Sequence, residues 1–421
     1  MDSVIAEQVS DKTLPLDPFQ RAFLAYEATH PPMSFGIGGI LLMEGTPPAV
    51  DEVRELFRRQ LHLLPQLGCR LSDGPLSRAV WEPQRDIDLR TLIGERLTGP
   101  GGLRGTVDEL IRRPFDHSQP LWRVWLVHGY AADEFALIYL GHHALHDGMS
   151  VATTIMSTFA DGASVKESKP RIPRPRADAG AKSSLLKTVA HSISACRPLA
   201  RPLPGSTDFG ERTIHWGHTS LDQLREIGHQ HNTTANNVYL AAMTHVLREW
   251  PASPWHMLRD KGKPVWAIVP LSIGSEQGKL SQRSVGFRVP LPCDDPDPLS
   301  RLAALDARLS PDTLGTQRST AQSMIKGMPY RLFLPWVYHH FSDRFAHLIA
   351  TNVPGCTHEA TVLGRRIAAT VPIGFLPARH RLGAAMTSYR DLAVVSFLTD
   401  SRLPGAEALP DMWLDAVAEL K

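Results

Sequence analysis

The residue types with the clearest chemistry are three histidines and an aspartate in one short segment. Residues 142 to 148 read His-His-Ala-Leu-His-Asp-Gly and follow an apolar run that ends at Leu140. Imidazole has a reference pKa of about 6.5, so its neutral form can accept a proton at physiological pH. A hydroxyl group is a weak nucleophile until a base removes its proton, and a positioned base raises the rate roughly 10²–10⁴-fold. The segment therefore predicts general-base chemistry, with His143 as the base.

The last two residues of this segment are expected to hold the base in place. Asp147 can pair with a buried arginine or orient a histidine, and we favour a structural role that pins the turn. Gly148 allows the backbone to turn sharply or to approach a substrate closely. A serine nucleophile would need a Gly-x-Ser-x-Gly elbow, which the sequence lacks. Direct transfer without a covalent intermediate is therefore the simpler prediction.

Two other interpretations of the histidines stay open. His142 and His146 are four residues apart, a spacing that could ligate a metal on a helix. The preceding run is strand-like, however, and no glutamate completes a His-Glu-x-x-His pattern. The three histidines could instead be satisfied residues of a core turn, although ionisable clusters concentrate at functional sites. We expect neither a metal nor a cofactor.

Hydrophobic spacing predicts the elements that must position this segment. A hairpin is expected from Trp122 to Val127 and from Phe135 to Leu140, and its second strand would deliver the histidines to a sheet edge. Asp17 is expected to cap the first helix. Further helices are predicted at 51–64, 221–229, 236–250, 336–350 and 406–420, and further strands at 39–43, 265–271, 285–291, 384–389 and 392–398. This order predicts an α/β fold with mixed sheets.

The length of 421 residues exceeds the range of a single hydrophobic core and predicts two domains. We place an N-terminal domain at 1–165 and a C-terminal domain at 211–421. Between them, residues 166–210 are rich in proline and arginine and are interpreted as a surface crossover. This crossover could also bind coenzyme A phosphates, an acidic carrier protein or an anionic membrane surface.

Bulk composition excludes several classes of protein. Basic and acidic residues nearly balance at 45 and 43, so no global field indicates nucleic acid as a partner. The four cysteines are far apart, which argues against a disulfide scaffold and a zinc cluster. Neither an export signal nor an apolar run of roughly 18 residues is visible. We expect a cytoplasmic protein, and peripheral contact with a membrane stays open.

Five motifs together resemble a known enzyme family. The His-His-x-x-x-Asp-Gly pattern resembles the signature of the chloramphenicol acetyltransferase-like superfamily, which includes nonribosomal peptide condensation domains. The other motifs narrow this resemblance to the bacterial wax ester synthase/diacylglycerol acyltransferase family. They occur in the family's order and are Pro15 to Phe23, Pro120-Leu121-Trp122, Asn236-Asn237-Val238 and Asn352-Val353-Pro354-Gly355.

The resemblance implies both a fold and a reaction. Two chloramphenicol acetyltransferase-like αβ subdomains would form a pseudo-dimer, with the active site in a tunnel between them. The reaction would move an acyl group from an acyl-CoA or acyl carrier protein thioester to an alcohol. His143 would be the base and Asp147 a structural acid. Residues expected to bind substrate or shape the site are Trp122, His142, Gly148, Asn236, Asn352 and Ser388, of which Ser388 is a candidate donor to the thioester or oxyanion.

Three departures from the family pattern bear on the acceptor. Asn237 stands where the family has aspartate, Gln282 to Val285 replace a Gly-Asn pair, and His146 replaces an apolar residue. None of them changes His143, so we expect acyl transfer to a lipid alcohol, a diacylglycerol or the hydroxyl of a specialised metabolite. The alternatives are a non-catalytic docking module of the same fold and a metal-dependent hydrolase.

Overall fold

The computed structural model describes residues 13–161, 210–275 and 282–421. Strands of these residues are β1 (Leu14–Pro15), β2 (Gly36–Glu44), β3 (Cys69–Leu71), β4 (Val80–Pro83), β5 (Ile93–Leu97), β6 (Trp122–Ala131), β7 (Glu134–His142), β8 (Arg212–Ser220), β9 (Val265–Ser275), β10 (Gln282–Leu291), β11 (Leu348–Cys356), β12 (Thr361–Val362), β13 (Arg365–Ile373), β14 (Leu382–Tyr389) and β15 (Leu392–Asp400). The helices are α1 (Pro18–Ala28), α2 (Val50–Gln60), α3 (Leu89–Leu92), α4 (Gly102–Ile111), α5 (Gly148–Phe159), α6 (Leu221–Gln230), α7 (Ala235–Glu249), α8 (His256–Arg259), α9 (Pro298–Arg308), α10 (Pro311–Gly327), α11 (Tyr330–His340) and α12 (Leu409–Ala418). The predicted crossover lies almost wholly outside the described residues.

The first large sheet has the strand order β12-β13-β2-β7-β6-β5. Its β6–β7 hairpin confirms the predicted pair, including the turn between Ala131 and Glu134. Every residue of β7 except Glu134 is buried, which explains why its sequence is apolar throughout rather than alternating. His142 therefore lies at the buried end of this central strand.

The second large sheet has the order β10-β9-β11-β14-β15-β8. Strand β11 runs parallel to both β9 and β14, while the remaining pairs are antiparallel. Helix α7 covers this sheet with a face of buried apolar residues and is capped by Thr234, as its sequence predicts. The predicted α/β class with two sheet-rich halves is confirmed.

Strand β13 joins the two halves. It follows β11 in the chain, yet it pairs with β2 of the first sheet, with Thr370 opposite Leu41 and Val371 opposite Ile40. The hydroxyl of Ser396 on β15 donates to the Pro372 carbonyl at 2.6 Å and ties the second sheet to this strand. Strands β12 and β13 lie after residue 211 in the chain, yet they complete the N-terminal sheet. The domain boundary predicted at residue 211 therefore does not separate the two sheets.

Two sequence predictions need correction. The helix predicted at 336–350 ends at His340, and Leu348 to Ala350 begin β11 because they pair with β9 and β14. Such a short apolar run reads equally well as helix or strand. Helix α2 likewise ends at Gln60 rather than at residue 64, and it is followed by a 3₁₀ turn before Pro65. No helix of the described residues is long and apolar enough to span a membrane.

Candidate active site

The histidine segment forms a tight turn between β7 and α5. The N–H groups of Leu145 and His146 donate to the His142 carbonyl at 2.8 and 3.2 Å. The N–H of His143 donates to the Phe35 carbonyl at 2.8 Å and so fastens the turn to the chain that leads into β2. Asp147 is the N-cap of α5, where its carboxylate accepts from the Ser150 N–H at 2.8 Å. Each end of the turn is therefore held by hydrogen bonds.

The hydrogen bonds of His143 fix its tautomer. Its Nδ1 lies 2.8 Å from the His146 carbonyl oxygen, which can only accept, so Nδ1 carries the proton. The lone pair is then on Nε2, and the side chain lines a large cavity. Burial lowers the pKa of His143 to about 4, which keeps the imidazole neutral at physiological pH. This is the state in which a histidine accepts a proton from a substrate.

His142 has the opposite tautomer. Its Nδ1 accepts the Ala144 N–H at 2.9 Å, so Nε2 carries the proton and donates it to the Glu27 carboxylate. Burial alone would raise the pKa of Glu27, but the hydrogen bond from His142 and the nearby imidazoles outweigh it, and the pKa is lowered. The other Glu27 oxygen accepts the Phe35 N–H at 3.4 Å. Glu27 thus holds both the His142 ring and the residue that anchors His143.

Glu27, His142 and His117 also form a cluster with the composition of a metal site. One ligand atom of each lies within 4.8 Å of the others. A metal at Nε2 of His142 would have to displace its proton while Nδ1 still accepts an N–H, leaving an imidazolate. Histidine ligands usually donate their second N–H to an oxygen, which is the reverse polarity. The hydrogen bonds therefore favour a positioning role for this cluster.

His146 points away from that cluster. Its Nε2 lies 2.6 Å from the hydroxyl of Tyr139, and both residues are buried. Burial and the neighbouring imidazoles lower the pKa of His146 to about 3. Because His142 and His146 have different partners, the structure does not assemble the pair that their i,i+4 spacing suggested. His146 stands where the family has an apolar residue, and its hydrogen bond to Tyr139 compensates for the burial of a polar ring.

Aromatic rings surround the His143 imidazole. The ring centroids of Phe23 and Phe375 each lie 4.8 Å from it, both with edge-to-face geometry. Phe35 contributes a third ring at 6.4 Å. Together they fix the orientation of the imidazole and reduce the access of water to the base.

A cavity of about 380 Å³ lies between the two large sheets and contains His143. Its floor is built from small residues, among them Gly38 and Gly39 of β2 and Ala385 of β14. A Cβ on Gly38 would lie 1.9 Å from the Tyr139 carbonyl oxygen, so the close strand approach requires glycine there. Aliphatic side chains form most of the remaining wall and are Ile37, Leu41, Val151, Ile155, Met156, Ile349, Val353, Val371, Ile373 and Leu398.

Three of the residues predicted from the sequence line this cavity: His143, Gly148 and Asn352. The side-chain amide of Asn352 donates to the Asn236 side chain at 3.2 Å, which places Asn236 directly behind it. Gly148 opens α5 against β11, where a Cβ would lie 3.1 Å from Val353. Asn352 and Gly148 thus bring a side-chain amide and a helix N-terminus to the same chamber.

The other predicted residues lie behind the cavity wall. Trp122 is fully buried, stacks on Phe57 and donates its indole N–H to the Leu67 carbonyl at 2.8 Å. The hydroxyl of Ser388 accepts the Gly355 N–H at 3.2 Å, so it supports a residue that lines the cavity. His142 and Asp147 hold the turn, as described above.

The hydrogen bonds of Asn237 explain why an asparagine fits where the family has an aspartate. Its amide donates to the Asp306 carboxylate at 3.0 Å and to the Thr233 hydroxyl at 2.9 Å, linking α7 to α9. An aspartate at this position would face another carboxylate instead. Asn237 is buried and is not part of the cavity wall, so its missing charge does not change the chamber.

Sequence reasoning missed Glu27 and Phe375. Glu27 lies four residues after Phe23 on the apolar face of α1, and a charged residue at a core position was the available signal. Phe375 lies in the irregular segment after β13 and gave no local signal. Arg318 of α10 also lines the cavity and donates to the Ser272 carbonyl at 3.0 Å.

Comparison with known proteins identifies the family. The wax ester synthase/diacylglycerol acyltransferase catalytic domain matches residues 16–213, and the WS/DGAT C-terminal domain matches residues 284–421. A probable diacylglycerol O-acyltransferase of Mycobacterium tuberculosis is 24% identical, covering 91% of this chain and 90% of that protein. The O-acyltransferase WSD of Acinetobacter baylyi is 22% identical, covering 91% and 92%.

Solved structures agree with the fold. A wax ester synthase/diacylglycerol acyltransferase from Marinobacter aquaeolei VT8 has a TM-score of 0.65 at 20% identity, covering 97% of this chain and 98% of that one. The starter condensation domain of rhizomide synthetase has a TM-score of 0.64 at 13% identity, covering 100% and 95%. Because the two family domains span most of the sequence, the chain belongs to the wax ester synthase/diacylglycerol acyltransferase family and is an acyltransferase that forms esters.

Proposed function

We propose that His143 is the general base of direct acyl transfer from a thioester to an alcohol. The observation that carries this proposal is the hydrogen bond from Nδ1 to the His146 carbonyl, which leaves the Nε2 lone pair free in a residue that lines the cavity. Nδ1 cannot act as the base, because it already carries a proton that it donates. The proposal therefore assigns the chemistry to one nitrogen atom.

In the proposed reaction the acceptor hydroxyl gives its proton to Nε2 as its oxygen attacks the thioester carbonyl. A carbon–oxygen bond forms, and the carbonyl becomes a tetrahedral oxyanion. Collapse of this intermediate breaks the carbon–sulfur bond, and the imidazolium returns the proton to the thiolate. The products are an ester and a free thiol. The low pKa of His143 favours this return, because a buried imidazolium gives up its proton readily.

The oxyanion must be stabilised by hydrogen-bond donors on the side of the reacting carbon that faces away from His143. We propose the Asn352 amide and the first backbone N–H of α5 at Gly148 for this role, because both residues line the chamber. Asp147 would hold that helix terminus in place, and Asn236 would orient the Asn352 side chain. Trp122, His142 and Ser388 would act indirectly, through the packing and hydrogen bonds that support the wall.

We propose acyl-CoA as the donor, with an acyl carrier protein thioester as the alternative. The names of the relatives favour lipid acceptors, that is, long-chain alcohols or diacylglycerol. Reaction in the cytoplasm with peripheral membrane contact would suit such acceptors. The near balance of basic and acidic residues argues against nucleic acid as a partner.

Free-thiol release tests the proposed function. Purified protein is given a panel of acyl-CoAs with a fatty alcohol, diacylglycerol or a polyhydroxylated metabolite as acceptor. We expect acceptor-dependent thiol release that falls roughly 10²–10⁴-fold in His143→Ala, the contribution of a positioned base. His128→Ala is the matched control, because His128 lies at the far end of β6 and pairs with Glu95.

The same assay separates the two neighbouring histidines. His142→Ala should act mainly through the positioning of the turn, so its loss should be smaller than that of His143→Ala. Equal losses accompanied by a bound metal would favour a ligand role for both. Acyl-CoA hydrolysis with no ester product would contradict the proposal, because it would make water the acceptor.

A further inference from the structure

A hydrogen bond between Tyr139 and His146 fastens the histidine turn to β7. The Tyr139 hydroxyl lies 2.6 Å from Nε2 of His146, and both side chains are buried. No other acceptor for this hydroxyl occurs among the residues that the structure describes, so the phenol donates and Nε2 accepts. Burial raises the pKa of Tyr139 well above its ordinary value and lowers the pKa of His146 to about 3. Both groups are therefore neutral at physiological pH.

The packing around this pair holds it in one geometry. The Tyr139 ring lies nearly parallel to the ring of the buried Trp122, at an interplanar angle of 12° and a centroid distance of 6.4 Å. The His146 imidazole meets the Tyr139 ring edge-to-face at 5.8 Å. Gly141 leaves room for the imidazole, because a Cβ there would lie 2.6 Å from its Cδ2 atom. The surroundings of position 146 therefore accommodate an imidazole ring in one orientation.

The backbone of His146 connects this pair to the base. Its N–H donates to the His142 carbonyl at 3.2 Å, and its carbonyl oxygen accepts the Nδ1–H of His143 at 2.8 Å. The next residue, Asp147, is the N-cap of α5. His146 thus lies between the base and the helix that opens onto the cavity, and its side chain ties this stretch of backbone to β7.

The hydrogen bond from Nδ1 of His143 should strengthen during the reaction. When Nε2 takes the proton of the acceptor, the imidazole becomes positively charged, and a hydrogen bond from a charged donor is roughly twice as strong as one between neutral groups. This gain requires the carbonyl to keep its distance and direction while the charge forms. An interaction that strengthens only in the transition state raises kcat without lowering KM.

We propose that Tyr139 and His146 are positioning residues, which hold in place the carbonyl that orients the base and stabilises its imidazolium form. This inference rests on the proposed function, because it needs His143 as the base. Neither residue lines the cavity, so both act through the His146 carbonyl and not on the substrate. The role falls to a histidine that stands where the family has an apolar residue, and Trp122 contributes to it by packing against the Tyr139 ring.

Variants at the two positions test the proposal. His146→Gln and His146→Met have side chains of nearly equal length, but only the glutamine can accept the proton of the Tyr139 hydroxyl. With one acyl-CoA and one alcohol acceptor, we expect kcat to fall about tenfold in Tyr139→Phe and in His146→Met, while KM is unchanged. We expect His146→Gln to stay within about threefold of wild type, because it keeps the hydrogen bond.

Tyr239→Phe is the matched control. Tyr239 is also fully buried, but its hydroxyl has no hydrogen-bond partner among the described residues. Its loss should leave kcat as in wild type. Equal falls in the glutamine and methionine variants of His146, or no fall in Tyr139→Phe, would overturn the proposal.

Nuclear magnetic resonance of protein labelled with ¹⁵N-histidine separates this proposal from the proposed function, because it needs no turnover. The His143 ring, assigned by the loss of its signals in His143→Ala, should show a protonated Nδ1 and an unprotonated Nε2 in wild type. In Tyr139→Phe we expect the two nitrogen shifts to move toward each other, as the ring exchanges between tautomers. Unchanged shifts in this variant would overturn the proposal even if kcat fell. Turnover that survives His143→Ala, together with the expected shifts, would instead refute the proposed function while the tether to the imidazole stood.

Discussion

The turn after β7 and the turn after β15 follow the same local arrangement of strands, but their residues differ in chemistry. Each follows the second strand of an antiparallel hairpin and leads toward a helix, α5 in the first sheet and α12 in the second. The first turn holds His142, His143 and His146. The second holds Asp400 and Arg402.

In the second turn every strong charge is compensated. Asp400 is 2% exposed and accepts the Gly210 N–H at 2.9 Å and the Arg402 Nε–H at 3.0 Å, with Arg212 at 3.8 Å. Burial alone would raise its pKa, but these hydrogen bonds and charges outweigh it and lower the pKa to about 2. Such a carboxylate closes the turn and remains ionised.

In the turn after β7, the same arrangement of strands leaves one nitrogen atom, Nε2 of His143, able to accept a proton. Backbone carbonyl and N–H groups assign a fixed tautomer to His143 and His142, and the Glu27 carboxylate accepts a hydrogen bond from the Nε2–H of His142. Only His143 is left with an unprotonated nitrogen in a residue that lines a cavity. Position after a hairpin alone thus does not prepare a base. The hydrogen-bond partners that fix the protonation states give His143 the form that the proposed reaction needs.

The largest effect should come from removing Glu27. Glu27→Ala leaves the Nε2–H of His142 and the N–H of Phe35 without their acceptor in a buried site. We expect a loss of about 1–3 kcal/mol in the free energy of unfolding for each donor left unsatisfied, measured by urea denaturation. Glu27→Gln keeps the shape and one acceptor, and should fold while turnover falls about tenfold with little change in KM.

Glu95→Gln is the matched control for Glu27. It breaks another carboxylate–imidazole pair, with His128 at 2.7 Å, but Glu95 is 46% exposed. An exposed pair contributes at most about 1 kcal/mol, so stability and turnover should both stay close to wild type. Equal losses in the two variants would show that Glu27 does not position the histidines.

Asp400→Asn should affect stability and not turnover. A buried hydrogen bond to a charged group contributes about 1.5–3 kcal/mol, so we expect a loss of about 2–3 kcal/mol in urea unfolding at pH 7. Since the folded pKa lies below the ordinary aspartate value, this contribution is present above about pH 4 and is lost as pH falls through about 2. A fall in kcat at a temperature where the variant is fully folded would break the distinction between the two turns.

Acid stability gives a smaller effect at His146. Its folded pKa of about 3 lies below the ordinary value of 6.5, so the unfolded chain binds more protons between these values and stability falls as the pH is lowered. From pH 7 to 5 this group alone costs about 2 kcal/mol. Over the same interval, the free energy of unfolding should fall by about 2 kcal/mol less in His146→Val than in wild type. The variant leaves the Tyr139 hydroxyl unpaired, so it is less stable than wild type at pH 7. A slope identical to that of wild type would contradict the buried neutral imidazole.

The smallest expected change is in the pH profile of kcat/KM. The proposed mechanism needs neutral His143, and its pKa of about 4 predicts a profile that is nearly flat from pH 8 to 5.5 and falls only at lower pH. A base with an ordinary pKa of 6.5 would lose about tenfold by pH 5.5. Rates are taken over times in which the enzyme stays folded. An inflection near 6.5 that remains under this control would argue against the enclosed site.

Much of this site could be predicted where the signal is local. The cap at Asp17 and the β6–β7 hairpin follow from spacing within a few residues, and so does the proposal of His143 as the base. Glu27 could not be assigned its role, because its partner His142 lies 115 residues away and the pair exists only once α1 packs beside the end of β7. The position of Phe375 beside His143 could not be predicted for the same reason, because the contact exists only in the folded chain. The error at 336–350 arose because pairing with β9, rather than local preference, decides the state of Leu348.

The exchange of β13 between the halves has a consequence for biosynthesis. Until the ribosome has made nearly the whole chain, β2 has β7 on one side and an open edge on the other. An open edge next to a glycine-rich apolar strand invites pairing with other chains. The N-terminal half made alone should therefore aggregate, and a nascent chain would need chaperone protection until its own C-terminal region arrives. The reaction chamber closes in the same late step, so a product truncated before β13 lacks part of the chamber wall.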